Sequence, residues 1–369
     1  MRYHTATELA QIGNHQDDRT GAVSAPIYLS TTFSHLGLGQ STGYDYTRTK
    51  NPTRDILEKA LAKLEGGSQG IVTSSGMSAI QLVFNYFSAT SEFLVSRDLY
   101  GGSYRYFKEL ERQNGSVFHY FDDFESLENQ LTEKIDAVFL ETPTNPLMQE
   151  VSITDTANLA HNYGACLIVD NTFLTPLRQQ PLKEGADIVI HSGTKFLSGH
   201  NDLLAGVVVA KEPDLGEQLA WLSNTTGPTL SSFDSWLFIR SLKTLKLRFE
   251  QQERNAQELA KKLKAFSEIE KVLYPGIGGM ISFYVKEAAK IPEFLSKLEL
   301  ITFAESLGGV ETLITYPTTQ THADIPRNIR ESYGLTDNLL RLSIGIEDSN
   351  DLLADLAQGF SKAESYSLN

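Results

Sequence analysis

The sequence predicts an α/β protein with a mostly parallel sheet in a large domain and a smaller C-terminal α+β domain. Three observations predict it. From about residue 66 to residue 240, short apolar runs alternate with stretches of helical periodicity. The runs carry no polar–apolar alternation of their own, which is the pattern of parallel strands covered by helices on both faces. A long amphipathic segment, residues 241–270, then leads into shorter strands and helices. The expected division is an N-terminal arm over 1–52, a large α/β domain over 53–240 and an α+β domain over 241–369.

Taken in order, residues 1–52 are polar, weakly periodic and rich in Gly, Ser, Thr and Tyr, and read as an extended arm. The first helix spans about 53–65. Ile56, Leu57, Ala60, Leu61 and Leu64 recur at helical spacing, Pro52-Thr53 starts the helix and Gly66-Gly67 stops it. Strands are expected at Gly70–Thr73, Phe93–Ser96, Ser116–Tyr120, Ala137–Glu141, Leu167–Asp170, Asp187–Ile190 and Gly206–Ala210. Helices fall between them at about 78–88, 103–113, 124–131, 153–163 and 178–184. Beyond a single connecting helix over 241–270, strands are expected at Gly279–Val285, Ile301–Ala304 and Leu340–Ile344, and helices at about 290–297 and 349–363. In a sheet of this kind, ligands belong at the carboxyl ends of the strands.

Composition excludes whole classes of function. The 369 residues carry a formal net charge of −14, so general affinity for nucleic acid or an anionic membrane, which needs a positive field, is not expected. A small anion is still compatible, because a few local donors hold a phosphate against the global field. Cys166 is the only cysteine, so no intramolecular disulfide can form, and its apolar run Ala165–Val169 predicts a buried thiol. The first residues lack an apolar signal core and no run reaches membrane-spanning length, which predicts a soluble, cytoplasmic protein.

Three strand ends carry the polar residues that could form a site: Glu141-Thr142-Pro143-Thr144-Asn145-Pro146, Asp170-Asn171-Thr172 and His191-Ser192-Gly193-Thr194-Lys195. In a parallel sheet all three can face one crevice; separate loop capping with no shared site is the competing reading. The stretch Thr73-Ser74-Ser75-Gly76-Met77-Ser78 follows a strand and opens a helix, where free backbone N–H groups suit a phosphate; ordinary serine capping is the competing reading. Gly66-Gly67-Ser68-Gln69-Gly70 has the spelling of a hydrolase nucleophile elbow, but that motif needs strand, turn and helix, and here the order is helix, glycine stop, strand. Gly193-Thr194-Lys195-Phe196 is not a phosphate-binding P-loop, because Gly and Lys are not adjacent and no hydroxyl residue follows the lysine. His191 and His200 lack compact metal-ligand spacing, so no metal is expected.

Taken with their surroundings, these residues resemble the Cys/Met-metabolism family of pyridoxal-phosphate enzymes. The matching stretches are Asp170-Asn171-Thr172 and His191–Lys195 with Gly199-His200-Asn201-Asp202. Others are Tyr46-Thr47-Arg48, Asn51-Pro52-Thr53, Ser75-Gly76-Met77, Leu99-Tyr100-Gly101-Gly102 and Glu141–Pro146. The C-terminal half adds Phe233-Asp234-Ser235-Trp236, Glu305–Glu311 and Arg341–Glu347. The resemblance covers nearly the whole chain in the expected order. It departs from the usual family sequence at Gly193 (for Ala) and Phe196 (for Tyr), and leaves the lysine in place.

The resemblance implies the aspartate-aminotransferase-like fold, type I, of pyridoxal-phosphate-dependent transferases, with pyridoxal 5′-phosphate as cofactor. It implies that Lys195 bonds the cofactor and shuttles protons, that Asp170 pairs with the ring nitrogen and that Tyr100 stacks on the ring. The phosphate falls to Gly76, Met77, Ser192 and Thr194, with Tyr46 and Arg48 reaching it from a neighbouring subunit; Asn145 and Thr172 complete the cofactor set. The substrate's carboxylate falls to Arg341 with Asn145 and Ser306, and Glu305 resembles the members that act at Cγ. The partners implied are small amino-acid substrates and further copies of the chain, as a dimer of dimers with shared active sites.

The short join from Tyr274-Pro275 to Gly279-Met280, with Thr319-Gln320-Thr321-His322, resembles a bacterial cystathionine γ-synthase subgroup that also uses sulfide and is associated with O-acetylhomoserine. The activity implied is γ-replacement, making cystathionine from an O-acylhomoserine and cysteine. The alternatives are a cystathionine or homocysteine γ-lyase and a non-catalytic, cofactor-binding regulatory protein. The acyl group, and cysteine against sulfide, stay open.

Overall fold

Residues 3–361 are described by the structure, a computed structural model. Seven strands form the larger sheet: β1 (Gln69–Thr73), β2 (Glu92–Ser96), β3 (Val117–Phe121), β4 (Ile135–Glu141), β5 (Cys166–Asp170), β6 (Ile188–Ser192) and β7 (Gly206–Ala210), in the order β1-β7-β6-β5-β4-β2-β3. Strands β6, β5, β4, β2 and β3 run parallel, while β7 is antiparallel to both of its neighbours, β1 and β6. The absence of alternation within each strand has a direct cause. Leu94, Val138, Val169 and Val189 point into one core, and their chain neighbours Phe93, Phe139, Ile168 and Ile188 into another. With both faces covered, the two-residue period of a strand places apolar side chains at every position.

Five strands form the second sheet: β8 (Ile269–Leu273), β9 (Met280–Val285), β10 (Thr302–Phe303), β11 (Leu313–Thr315) and β12 (Leu339–Ser343), in the order β10-β11-β12-β9-β8. Its core packs on the helices Leu245–Leu263 and Ser349–Phe360. A small cluster of Met148, Phe173, Phe196, Phe249, Met280 and Leu307 joins the two halves. Among the described residues, no helix is long and apolar enough to cross a membrane.

Several elements differ from expectation. The helix expected over 241–270 is three elements: Ser232–Leu242, Leu245–Leu263 and the strand β8. Ser231 caps the first through the amide of Asp234. The second helix starts afresh because the Ser241 carbonyl is taken by the Arg248 guanidinium at 3.0 Å. The helix expected over 178–184 is a single turn, Thr175–Arg178, followed by the short 3₁₀ turn Pro181–Lys183, since Pro181 has no N–H to continue a helix.

The arm contains one short helix, Thr5–Ala10, which forms where Leu9 and Ile12 bury themselves against Leu57 and Leu61. The helix Pro213–Thr226 had no expectation, because Gly216 interrupts its apolar period; that glycine lets the helix press on Gln69 of β1. The helix expected to reach residue 363 ends at Phe360, and residues 362–363 lie outside the described residues.

Candidate active site

The carboxyl ends of β4, β5 and β6 meet in one cavity of about 370 Å³, closed over by residues 305–307, Thr321 and Arg341 of the C-terminal half. Of the residues singled out in the sequence, Gly76, Met77, Tyr100, Asn145, Asp170, Thr172, Ser192, Thr194, Lys195, Glu305, Ser306 and Arg341 all line it. Tyr46 and Arg48 do not. The Arg48 guanidinium stands over the Tyr46 ring and is held by the Asn224 carbonyl and side chain, at the end of helix Pro213–Thr226.

Lys195 follows β6 in a turn. Its ammonium donates to Ser306 Oγ at 2.9 Å. Burial, followed by the positive charge of Arg341, pushes its pKa down to about 8, while Glu305 pulls the other way. Lys195 therefore gives up its proton closer to neutrality than an ordinary lysine does, and the free amine is the form that attacks a carbonyl.

Ser306 touches both cations of the site, since Arg341 Nη2 donates to its backbone oxygen at 3.0 Å. The same guanidinium donates to Asn145 Oδ1 at 2.8 Å and to Thr315 Oγ1 at 3.1 Å, and its buried Nε finds no acceptor among the described residues. A guanidinium that is only 1% exposed and meets no carboxylate within ion-pair distance among the described residues is poised for a carboxylate from outside.

Asp170 ends β5. One of its oxygens accepts from the Thr172 amide at 3.0 Å and the Thr172 hydroxyl at 2.5 Å. The Thr172 hydroxyl in turn accepts from the Ser192 amide at 2.8 Å, so this threonine is a strut between two strand ends. Burial raises the Asp170 pKa and Thr172 opposes the rise. Glu141, its register partner on β4, is raised well above the ordinary carboxylate range, by burial first and then by Asp170. A buried acid and a half-buried acid side by side favour a cationic guest. Glu141 also accepts from the Tyr100 amide at 3.0 Å, which fixes the turn carrying that ring. Gly102 makes room for the ring, because a Cβ there would lie 2.4 Å from Tyr100 Cε1.

One end of the cavity is built at the start of the helix Gly76–Phe84. Ser75 caps that helix through the amide of Ser78 at 3.0 Å, while the amides of Gly76 and Met77 find no acceptor among the described residues. A Cβ on Gly76 would come within 2.9 Å of Ser192 Cβ, so glycine keeps this cradle open and the unengaged Ser192 hydroxyl close to it. Thr194 is different: its hydroxyl accepts from the Ala205 amide at 3.0 Å and donates to the Ala205 carbonyl at 3.2 Å, so it must turn to serve an anion. A ring with a cationic nitrogen, a carbonyl that condenses with an amine and a phosphate has a fitting group for each part among these residues.

Sequence reasoning missed residues that hold the site from behind. Arg248 donates to the carbonyls of Phe196 at 2.9 Å and Leu197 at 3.2 Å, directly after Lys195. Gln252 donates to the Gly309 carbonyl at 2.7 Å, and Asn255 to those of Gly345 at 3.0 Å and Glu347 at 2.8 Å. Positions 248, 252 and 255 share one face of the helix Leu245–Leu263, so a single rod registers the lysine, serine and arginine segments. The signal was present as a polar stripe within the apolar face of that helix. Glu141, Thr321 and His322 lie in stretches that carry the family resemblance, which assigns them no role. His191 and His200 are engaged separately: His191 Nε2 meets Glu65 at 2.6 Å while its buried Nδ1 has no partner among the described residues, and His200 Nδ1 meets the Ser198 carbonyl at 2.7 Å.

Known proteins resemble the chain along nearly its whole length. The sequence model of a family described as "Cys/Met metabolism PLP-dependent enzyme" matches residues 6–361. The chain is 54% identical over 360 residues, covering 97% of it and 96% of its relative, to "Cystathionine gamma-synthase/O-acetylhomoserine (thiol)-lyase" of Bacillus subtilis. It is 52% identical over 363 residues, 98% of each chain, to a "Cystathionine gamma-synthase" of Haemophilus influenzae. Among solved structures, a cystathionine gamma synthase from Xanthomonas oryzae pv. oryzae, in complex with aminoacrylate and cysteine, superposes with a TM-score of 0.95 at 41% identity, covering 97% of this chain and 98% of that one.

Proposed function

The chain belongs to the Cys/Met metabolism family of PLP-dependent enzymes, and on that premise we propose that it catalyses γ-replacement on an O-acylhomoserine. Cysteine is the nucleophile and cystathionine the product, and sulfide is a second nucleophile that gives homocysteine. The ester is O-acetylhomoserine, supported by the naming of the Bacillus subtilis relative. The Cγ–O bond breaks, acetate leaves with the electron pair, and the thiol gives up its proton as the Cγ–S bond forms.

The observation that carries the reading is Ser306, which joins the cofactor-bonding lysine to the carboxylate-binding arginine. Pyridoxal phosphate, when bound, supplies the electron sink that makes the Cα–H and Cβ–H bonds of an amino acid acidic. The chain's own residues do the rest. Arg341 and Asn145 hold the substrate carboxylate, and Lys195 Nζ takes the Cα proton and returns it. Asp170 would hold the proton of the ring nitrogen, Tyr100 would cover the ring, and Gly76, Met77, Ser192 and Thr194 would hold the phosphate. Glu305 lines the same cavity and is assigned to the side of the departing group. The cofactor-binding part is assigned to 53–240 and the C-terminal part to 241–369.

The proposal extends to a cytoplasmic dimer of dimers in which the arm 1–52 completes a neighbour's site. Val23, Leu29, Leu36 and Leu38 of the arm are at least 70% exposed in the single chain, the mark of a surface awaiting a partner. The position of Tyr46 and Arg48 outside their own cavity supports a role at a neighbour's phosphate. A single cysteine, and hence no intramolecular disulfide, supports the cytoplasmic assignment.

The deciding experiment incubates the holoenzyme with O-acetylhomoserine, O-succinylhomoserine and cystathionine, each with and without cysteine or sulfide. Cystathionine and acetate are expected from the first ester with cysteine. Rapid 2-oxobutyrate from cystathionine, with no condensation from either ester, would establish the γ-lyase instead. A colourless protein that takes up no cofactor, with Lys195→Ala behaving identically, would remove the cofactor assignment.

A further inference from the structure

His322 is wholly buried, and none of the roles above uses it. Its Nε2 lies 3.2 Å from the Leu99 carbonyl oxygen and 3.1 Å from that of Asn145. Carbonyl oxygens only accept, so Nε2 carries a hydrogen that both share. Burial, then the charge of Arg341, pushes the His322 pKa down to about 4, so the ring is neutral. Its Nδ1 is then an acceptor, filled by the Thr321 hydroxyl at 2.8 Å. One imidazole with a single tautomer therefore ties three segments together.

Those segments are the ones the site depends on. Leu99 precedes Tyr100 at the end of β2, and Asn145 follows β4 and holds Arg341 through its side chain. Thr321 lines the cavity, and its carbonyl lies so near the turn that a Cβ on Gly101 would be 2.1 Å from it. The neighbours of Asn145 are pinned from the other side. Thr144 and the Leu147 amide donate to Asp98, and the Pro146 carbonyl accepts from Ser282 at 2.6 Å. Among the described residues, His322 is the one side chain that hydrogen-bonds both the Tyr100 turn and Asn145.

We propose that His322 is a positioning residue, whose single Nε2 hydrogen sets the Tyr100 turn against Asn145 and thereby aligns the Asn145–Arg341 fork for the substrate's α-carboxylate. This rests on the reading of Arg341 as the carboxylate site, and deepens it. Its effect should fall on amino-acid binding more than on the proton transfers at Lys195.

The test uses holoenzyme variants. His322→Phe keeps a buried ring without the hydrogen, and His322→Gln keeps an amide N–H of similar reach. His322→Phe should raise the KM for the acylhomoserine at least tenfold with kcat changed less than threefold, and His322→Gln should recover most of the loss. Glycine, titrated into the holoenzyme and followed by the visible spectrum, should bind correspondingly more weakly to His322→Phe. In an Asn145→Ala background, His322→Phe should add little to the KM, because the side chain it aligns is gone.

Unchanged KM and glycine affinity in His322→Phe, full additivity with Asn145→Ala, or His322→Gln as impaired as His322→Phe would each overturn the proposal. If His322→Phe does not fold, His322→Asn replaces it; its amide is one methylene too short to reach both carbonyls, so it should bind glycine more weakly than His322→Gln, and equal affinities would overturn the proposal. The glycine titration reads alignment even if wild-type enzyme condenses neither ester, so failure of the reaction assignment stays distinguishable from failure of this one.

Discussion

A methyl group on Gly308 tests whether the site is registered as described. Gly308 has φ of +80°, where an alanine is strained by about 1–2 kcal/mol. The added Cβ would lie 2.4 Å from the Phe196 amide nitrogen and 2.8 Å from the Lys195 carbonyl carbon. Ordinary contact begins near 3.4 Å, so the two segments must part by about 1 Å. Neither retreats freely, because Arg248 holds the Phe196 carbonyl and Gln252 the Gly309 carbonyl from one helix. The strain therefore falls on the 2.9 Å contact between Lys195 and Ser306. Misplacement of about 1 Å costs on the order of 100-fold in rate.

Gly308→Ala should accordingly retain the cofactor and lower kcat on the order of 100-fold, with stability reduced by about 1–3 kcal/mol in urea unfolding. Gly309→Ala is the control, since its Cβ would meet the Asn201 side-chain amide, which can swing away. Gly308→Ala with kcat within threefold of wild type, or Gly309→Ala equally impaired, would refute the registration argument.

Arg341→Lys keeps a charge but loses the fork that spans Asn145 and Ser306. At about 1.5–3 kcal/mol per charge-assisted bond, it should raise the KM for amino acids by on the order of tenfold or more with the cofactor retained, checked by steady-state kinetics and absorbance. The lowered pKa of Lys195, about 8, has a consequence for cofactor-free protein. Below pH 8 the lysine is protonated both folded and unfolded, whereas between about 8 and 10.5 only the unfolded chain binds the proton, so folding is favoured as pH rises through that window. Urea midpoints should therefore rise from pH 8 to pH 10.5 relative to Lys195→Met, and a constant difference would contradict the shift.

The two carboxylates at the strand ends, the helix start at Gly76 and the lysine after β6 were legible because each depends on a few consecutive residues. A run such as Leu167–Asp170 announces both a buried strand and its polar end. The antiparallel β7 was not legible as such: Gly206–Ala210 is as apolar as its parallel neighbours, and direction is set by the chain's return, not by composition. The helix expected over 241–270 misled for a related reason, since its periodicity runs through a break set by the distant turn that Arg248 caps. Arg248, Gln252 and Asn255 read as an ordinary polar stripe until their acceptors, three loops from other parts of the chain, were in place.

The sequence by itself determined the alternating α/β order, the strand ends and, through the chain-wide resemblance, the family. Apolar periodicity and capping are local, and a motif is a spelling. Only the tertiary structure decided that Ser306 meets Lys195 across 111 residues and that Asn145 meets Arg341 across 196. It also decided that Tyr46 and Arg48 stand outside their own cavity and that a buried histidine ties Tyr100 to Asn145. Those pairings are chosen by the docking of two sheets around the helix Leu245–Leu263, which satisfies buried carbonyls that no local pattern announces.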